Sequence, residues 1–178
     1  MANRNVIKFR IKGTAPLLMN CDRYANPLDP LTKKHSILRK KKGKTDDELI
    51  ALMKSEWLGA LYFDTKGVVN IPSKNIEASL LNGARRRKLG KLFEAGVTVV
   101  EDVVPLKHNG PKDIEKLWEK DEFRDVRGVV ISRARIMKCR PKFNEWSADF
   151  EIAYHGDVVS RSDIIQAMED AGEFVGLC

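Results

Sequence analysis

Apolar and polar residues alternate strictly over residues 6–12, with Ile7, Phe9 and Ile11 on one side and Lys8, Arg10 and Lys12 on the other. A period of two sends one set to a core and the other to water, which predicts a half-buried strand. The apolar stretch Pro16-Leu17-Leu18-Met19 follows, and residues 20–44 then lose all periodicity. This segment contains Asn26-Pro27 and Asp29-Pro30 and ends in Arg39-Lys40-Lys41-Lys42-Gly43-Lys44. It is expected to be a long basic loop, and loops of that length inside a compact domain are functional or disordered.

Helical spacing returns at Thr45-Asp46-Asp47-Glu48, a capping box in which hydroxyl and carboxylate each serve an orphan amide. Leu49, Leu52, Met53, Trp57 and Leu61 continue it as one helix face. Residues 61–63 and 68–71 flank Asp64-Thr65-Lys66-Gly67 as a hairpin would. Pro72-Ser73 opens a second helix that buries Ile76, Leu80, Leu81 and Ala84 and ends in Arg85-Arg86-Arg87-Lys88. Residues 97–104 read as a strand, and residues 107–127 are polar with a short helical stretch over 113–118. A hairpin is expected over 129–155, then a helix capped by Ser160 with Asp163 at its third position, and a last strand over 173–178.

The element order contains a β-α-β-β-α-β series. It predicts an α+β fold with a ferredoxin-like, RRM-like core. Residues 1–178 are expected to form one domain, with an insertion at 20–60 made of the basic loop and the first helix.

Composition adds a partner class. A formal net charge of +7 and a pI near 9.3 favour an anionic partner. No apolar run approaches the roughly 18 residues of a membrane span, and the N-terminus lacks the apolar block of a signal peptide. Cys21, Cys139 and Cys178 are far apart, without metal-ligand spacing, and read as packed free thiols of a reducing cytoplasm. No zinc motif, phosphate-binding glycine motif or nucleophile elbow is present, so no metal or cofactor is expected.

The positive excess sits in three clusters. Lys33, Lys34, Arg39, Lys40, Lys41, Lys42 and Lys44 form the first, and Arg85, Arg86, Arg87, Lys88 and Lys91 the second. The third runs through Arg124, Arg127, Arg133, Arg135, Lys138, Arg140 and Lys142. A groove for a polyanion needs such groups, because each neutralised phosphate releases counterions. Turning the 129–155 hairpin about residues 140–145 places Arg135 opposite Asp149 and Arg133 opposite Glu151 as cross-strand ion pairs. That leaves Lys138, Arg140 and Lys142 as the binding candidates there. Tyr24 and Phe143 are the candidate stacking platforms for bases. For catalysis only Asp22, Asp29 and His35, in the basic segment, come into view, the aspartates as metal ligands or aids to strand cleavage and the histidine as a general base. Asp29-Pro30 and Cys21-Asp22 also read as turn chemistry.

Three segments carry a family resemblance: residues 10–19 as an opening strand and turn, residues 71–81 as a strand-proline-serine entry to a helix, and residues 160–176 as a last helix. In these the chain resembles the RAMP superfamily of ferredoxin-like RNA-binding proteins, especially the backbone subunits of CRISPR effector complexes. It is also similar to small phage and prophage proteins. The glycine-rich segment such subunits carry near their C-terminus is not found before Cys178. The resemblance implies that 20–44 lies against RNA and that copies pack side by side as a filament on the strand, as a homo-oligomer or ribonucleoprotein subunit. Some such proteins cut RNA with an aspartate in that segment, which keeps Asp22 in view.

Three functions remain open on the sequence. The leading expectation is a non-enzymatic binder of single-stranded nucleic acid, RNA before DNA. A metal-dependent endoribonuclease and a phage protein-interaction module that engages a host or CRISPR protein are the alternatives.

Overall fold

A computed structural model describes residues 4–177. Strand β1 (Arg4–Lys12) and the short β2 (Leu17–Leu18) precede a 3-10 turn at Arg23–Ala25 and helices α1 (Pro30–Lys40) and α2 (Asp46–Ala60). β3 (Asn70–Pro72) runs directly into α3 (Ser73–Arg86), followed by α4 (Gly90–Gly96), β4 (Val97–Val99), β5 (Val103–Pro105) and β6 (Lys107–His108). Helix α5 (Ile114–Trp118) and a 3-10 turn at Asp121–Phe123 lead to β7 (Arg124–Ile131) and β8 (Ala134–Phe143). Then come β9 (Trp146–His155), α6 (Arg161–Asp170) and a π-helical turn at Ala171–Val175. The chain is α+β, and its sheets pair antiparallel.

It divides into two compact units. One unit joins the segment ending at Lys12, Asn70–Lys107 and the chain from Ser147 onward. The other is Gly13–Val69 with His108–Trp146.

In the first unit the sheet runs β1-β9-β4, with β6 also pairing to β9. The alternation of residues 6–12 does what its period requires. Ile7 faces Ile152 and Phe9 faces Phe150 on the core side, while Lys8 faces Glu151 and Arg10 faces Asp149 on the other. α3 buries Ile76, Leu80 and Ala84 and packs against α6, which buries Ile164 and Ala167 beneath a Ser160–Asp163 capping box. The two helices touch at Gly83, where a methyl group would lie 2.2 Å from the Ala167 carbonyl oxygen. Overlap of that size with backbone cannot be relieved by a rotamer change, so glycine sets the helix spacing here.

In the second unit β2-β8-β7 form a sheet, α2 lies along β8 and α1 lies on α2. Thr45 and Glu48 close the expected capping box on α2. Trp57 is fully buried, with its indole edge to Trp118 at 5.6 Å and its Nε1–H donating to the Phe123 carbonyl at 2.8 Å.

Four sequence expectations are corrected. Residues 20–44 are not a loop, because Asp29-Pro30 serves as helix N-cap and first turn of α1 and not as turn chemistry: the Asp29 carboxylate accepts the Leu31 N–H at 2.8 Å. The 129–155 hairpin does not form. β8 pairs instead with β7, and β9 goes to the other sheet. The strand expected over 97–104 breaks at residues 100–102, so that β4 and β5 join different sheets. The last strand over 173–178 is replaced, as far as the described residues reach, by the π-helical turn that extends α6. Residue 178, and with it the Cys178 thiol, lies outside the described residues. Among the described residues no helix is long and apolar enough to cross a membrane.

Candidate nucleic-acid interface

α1 carries no buried residue and is held by its polar ones. The Thr32 hydroxyl donates to the Arg23 carbonyl at 3.2 Å, and His35 Nδ1 lies 3.1 Å from the Ser55 hydroxyl of α2. The His35 ring stacks on Tyr24 with centroids 4.3 Å apart, and the Tyr24 hydroxyl donates to the Ser55 carbonyl. Against the edge of that ring is Gly59, where a methyl would sit 2.1 Å from the nearest Tyr24 atom. Tyr24 is therefore a packing residue between α1 and α2, with one ring face already taken, and not a free platform for a base. Phe143 is corrected more firmly: its exposure is 0 %, and it packs between His108 and Phe123.

Burial pushes the His35 imidazole below its ordinary value; Glu56 opposes this, and Lys138 and Arg39 add to it. Those last two cations come from different sequence clusters, so α1 and β8 bring part of the first and third clusters near one histidine. His108 is lowered by burial and accepts the Gly110 N–H at Nδ1, 3.1 Å away. Both histidines bind protons more weakly folded than unfolded, where they titrate near about 6.5. The unfolded chain takes up more protons as pH falls through that value, so their contribution is complete above it and lost below it. The melting temperature should drop between roughly pH 7 and pH 5, and the double variant His35→Gln, His108→Gln should flatten that slope. An equally steep slope in the variant would assign the acid loss to other groups.

Local partners sort the cations. Lys41 pairs with Glu48, and the Lys44 ammonium donates to the Arg39 carbonyl at 3.1 Å and to the Lys41 carbonyl, closing the C-terminal end of α1. Lys33, Lys34, Arg39, Lys40 and Lys42 are exposed and form no ion pair among the described residues. Lys138 pairs with Glu56 at 3.1 Å. Arg140 and Lys142 are half-buried, and Arg140 lines a cavity of about 90 Å³ beside Tyr24, Cys21 and Glu56. Cys139, also on that wall, is a free thiol pushed up to about 11 by burial, so it is chemically quiet.

The register that would place Arg133 opposite Glu151 and Arg135 opposite Asp149 is not adopted. Asp149 is held by Arg10 and Lys107, chiefly through the Arg10 side-chain bond, which keeps its carboxyl below the usual range; Glu151 pairs with Lys8. Arg133 instead sits in the tip of the β7–β8 hairpin, where Ser132 and Arg133 both have positive φ, 48° and 70°. Such a two-residue turn matches the right-handed twist of the strands. Residues 132–137 are exposed without alternation, so both faces of the distal hairpin meet solvent. One face carries Val130 and Met137, 67 % and 61 % exposed, beside Arg135. The signal that could have located this hairpin was the β-branched run Val129-Val130-Ile131 ahead of the polar Ser132-Arg133, hidden by a tip lacking Asn or Gly.

The α3-end cluster belongs to the other unit and is largely engaged within it. Arg87 makes a bidentate pair with Asp170 at 2.7 and 3.1 Å and reaches Gln166. Arg85 pairs with Glu94 at 3.0 Å, and Arg86 lies 3.8 Å over the Phe174 ring. Lys88 and Lys91 have no such contact among the described residues.

Asp22 is exposed at the start of the 3-10 turn and makes no capping bond. No hydrogen bond joins it to His35, and no group of three His, Cys, Asp or Glu side chains is placed to hold a metal among the described residues. Comparison with protein-family models, curated proteins and solved structures gives no match. Fold and surface define a class only: an α+β protein with solvent-facing, unpaired cations on a helix and a projecting hairpin.

Proposed function

We propose that the protein binds single-stranded nucleic acid, RNA in preference to DNA, along its phosphate backbone. The observation that carries this reading is the set Lys33, Lys34, Arg39, Lys40 and Lys42 on α1 and the turn after it, exposed and without carboxylate partners among the described residues. Unpaired cations repel one another and cost stability, and a polyanion that covers them recovers that cost through counterion release. The β7–β8 hairpin supplies a second contact, with Arg133 and Arg135 for phosphates and Val130 and Met137 for base edges. A flexible single strand can follow a helix and a hairpin together, whereas a rigid duplex presents its bases inside the stack.

The ferredoxin-like resemblance is supported, at the level of topology, by the first unit. β1, α3, β4, β9 and α6 occur in β-α-β-β-α order, with β9 between β1 and β4 and antiparallel to both. A ferredoxin-like core lacking its closing strand has that arrangement.

Fluorescence anisotropy with an unstructured RNA, the matching DNA and a duplex tests the reading. Affinity for the RNA should fall by roughly 100-fold between about 50 and 200 mM salt, as five phosphate contacts to a single strand require. Binding that ignores salt, or a clear preference for duplex, would sink the proposal.

A further inference from the structure

β1 is a sheet edge, and the physical condition of that edge differs from the one opposite. The Gly13 N–H donates to the Trp146 carbonyl at 3.0 Å, and the register continues through Ile11–Ala148, Phe9–Phe150 and Ile7–Ile152. Odd-numbered residues of β1 therefore exchange hydrogen bonds with β9, and Arg4, Val6, Lys8, Arg10 and Lys12 turn their N–H and C=O groups the other way. The Val100 N–H donating to the Glu151 carbonyl on the far side of β9 agrees with this phase. On that far side, open donors are covered by carboxylates: Glu77 accepts the Val99 N–H at 3.0 Å, and Glu101 accepts the Glu151 N–H at 3.1 Å. Among the described residues no strand pairs with the outward edge of β1 and no side chain hydrogen-bonds to its outward amides.

We propose that this edge takes up an extended acidic segment of another protein as an added strand. The alternation of β1 defines the occupant. Its outer face presents Arg4 and Lys12 without an ion pair among the described residues, and Lys8 and Arg10, which pair with Glu151 and Asp149 of β9 yet keep 83 % and 74 % of their side chains exposed, so the added strand carries Asp or Glu at alternate positions. Its inner face presents Phe9 and Ile11, on the core side yet only half-buried, so the intervening positions are apolar. A second copy of β1 is a poor occupant, because its cations would lie against these. A nucleic acid is a poor one too: phosphates accept but do not donate, and the edge offers carbonyl oxygens as often as N–H groups. This inference stands apart from the nucleic-acid surface, which lies on the other unit.

The test uses the full chain and, as probe, a blocked peptide alternating glutamate and valine, read by NMR amide hydrogen exchange. The amides of Val6, Lys8, Arg10 and Lys12 should exchange fast in the free protein and at least tenfold more slowly with the peptide. Lys8→Pro, which removes an outward donor and no bond to β9, should abolish binding, while Lys8→Ala keeps it within a few-fold. A peptide N-methylated on its edge-facing amides should fail to bind the unaltered protein, which keeps the test decisive if Lys8→Pro does not fold. Equal binding of the N-methylated or of a lysine-valine peptide overturns the proposal, as does protection of the same amides by single-stranded RNA alone.

Discussion

Alanine at Lys33, Lys34, Lys40 and Lys42 together should lower the affinity for single-stranded RNA by on the order of 100-fold near 0.1 M salt. Each lost phosphate contact removes about 0.7 from the salt slope, so the slope should fall by about 3. Contact with phosphate and not with bases predicts a similar loss for unrelated sequences. None of the four is buried, and none is ion-paired among the described residues, so the melting temperature should not decrease. Alanine at Arg85 and Arg87 is the contrasting variant. Those residues hold Glu94 and Asp170, so it should reduce stability while leaving RNA affinity within about twofold at equal folded fraction. Unchanged affinity in the lysine variant, or an equal loss in the arginine variant, would remove α1 as the interface.

Trp57→Ala should destabilise the chain by about 3–5 kcal/mol, measured by urea unfolding. The indole is fully buried and joins three elements: it sits on α2, touches Trp118 of α5 and donates to the Phe123 carbonyl at the entry to β7. Removing it opens a cavity under the base of the hairpin and strands a buried acceptor. Trp57→Phe separates those costs, since it keeps most of the volume and loses only the hydrogen bond, for about 1–3 kcal/mol. A loss below about 1 kcal/mol in the alanine variant would mean that α2 is not anchored to the β7 entry.

Within the candidate site, legibility follows the range of the interaction. The clustering of Lys33, Lys34 and residues 39–42 is a property of local sequence, and so is their lack of acidic neighbours. Which of them remain unpaired is not local. Lys41 is taken by Glu48 across the start of the next helix, and Lys44 turns back onto the end of α1. The arginines of α3 looked identical to the lysines by composition, and their partners Glu94, Gln166 and Asp170 come from α4 and α6. Arg133 and Arg135 went the opposite way, released once Asp149 and Glu151 had paired with β1 and Lys107.

By itself the sequence determined what short-range physics controls. The strand at residues 6–12 follows from a period of two, and α2, α3 and α6 follow from helical spacing, with caps at Thr45 and Ser160. The positive charge needs no fold. Tertiary structure decided everything that depends on which strands meet. Nothing near Phe143 or Trp146 says that β8 turns to β7 and β9 to β1, because alternating strands pair acceptably in several registers until a core selects one. That selection divided the chain into two units, exposed the hairpin and buried Phe143. It also left the outward edge of β1 without a neighbour among the described residues.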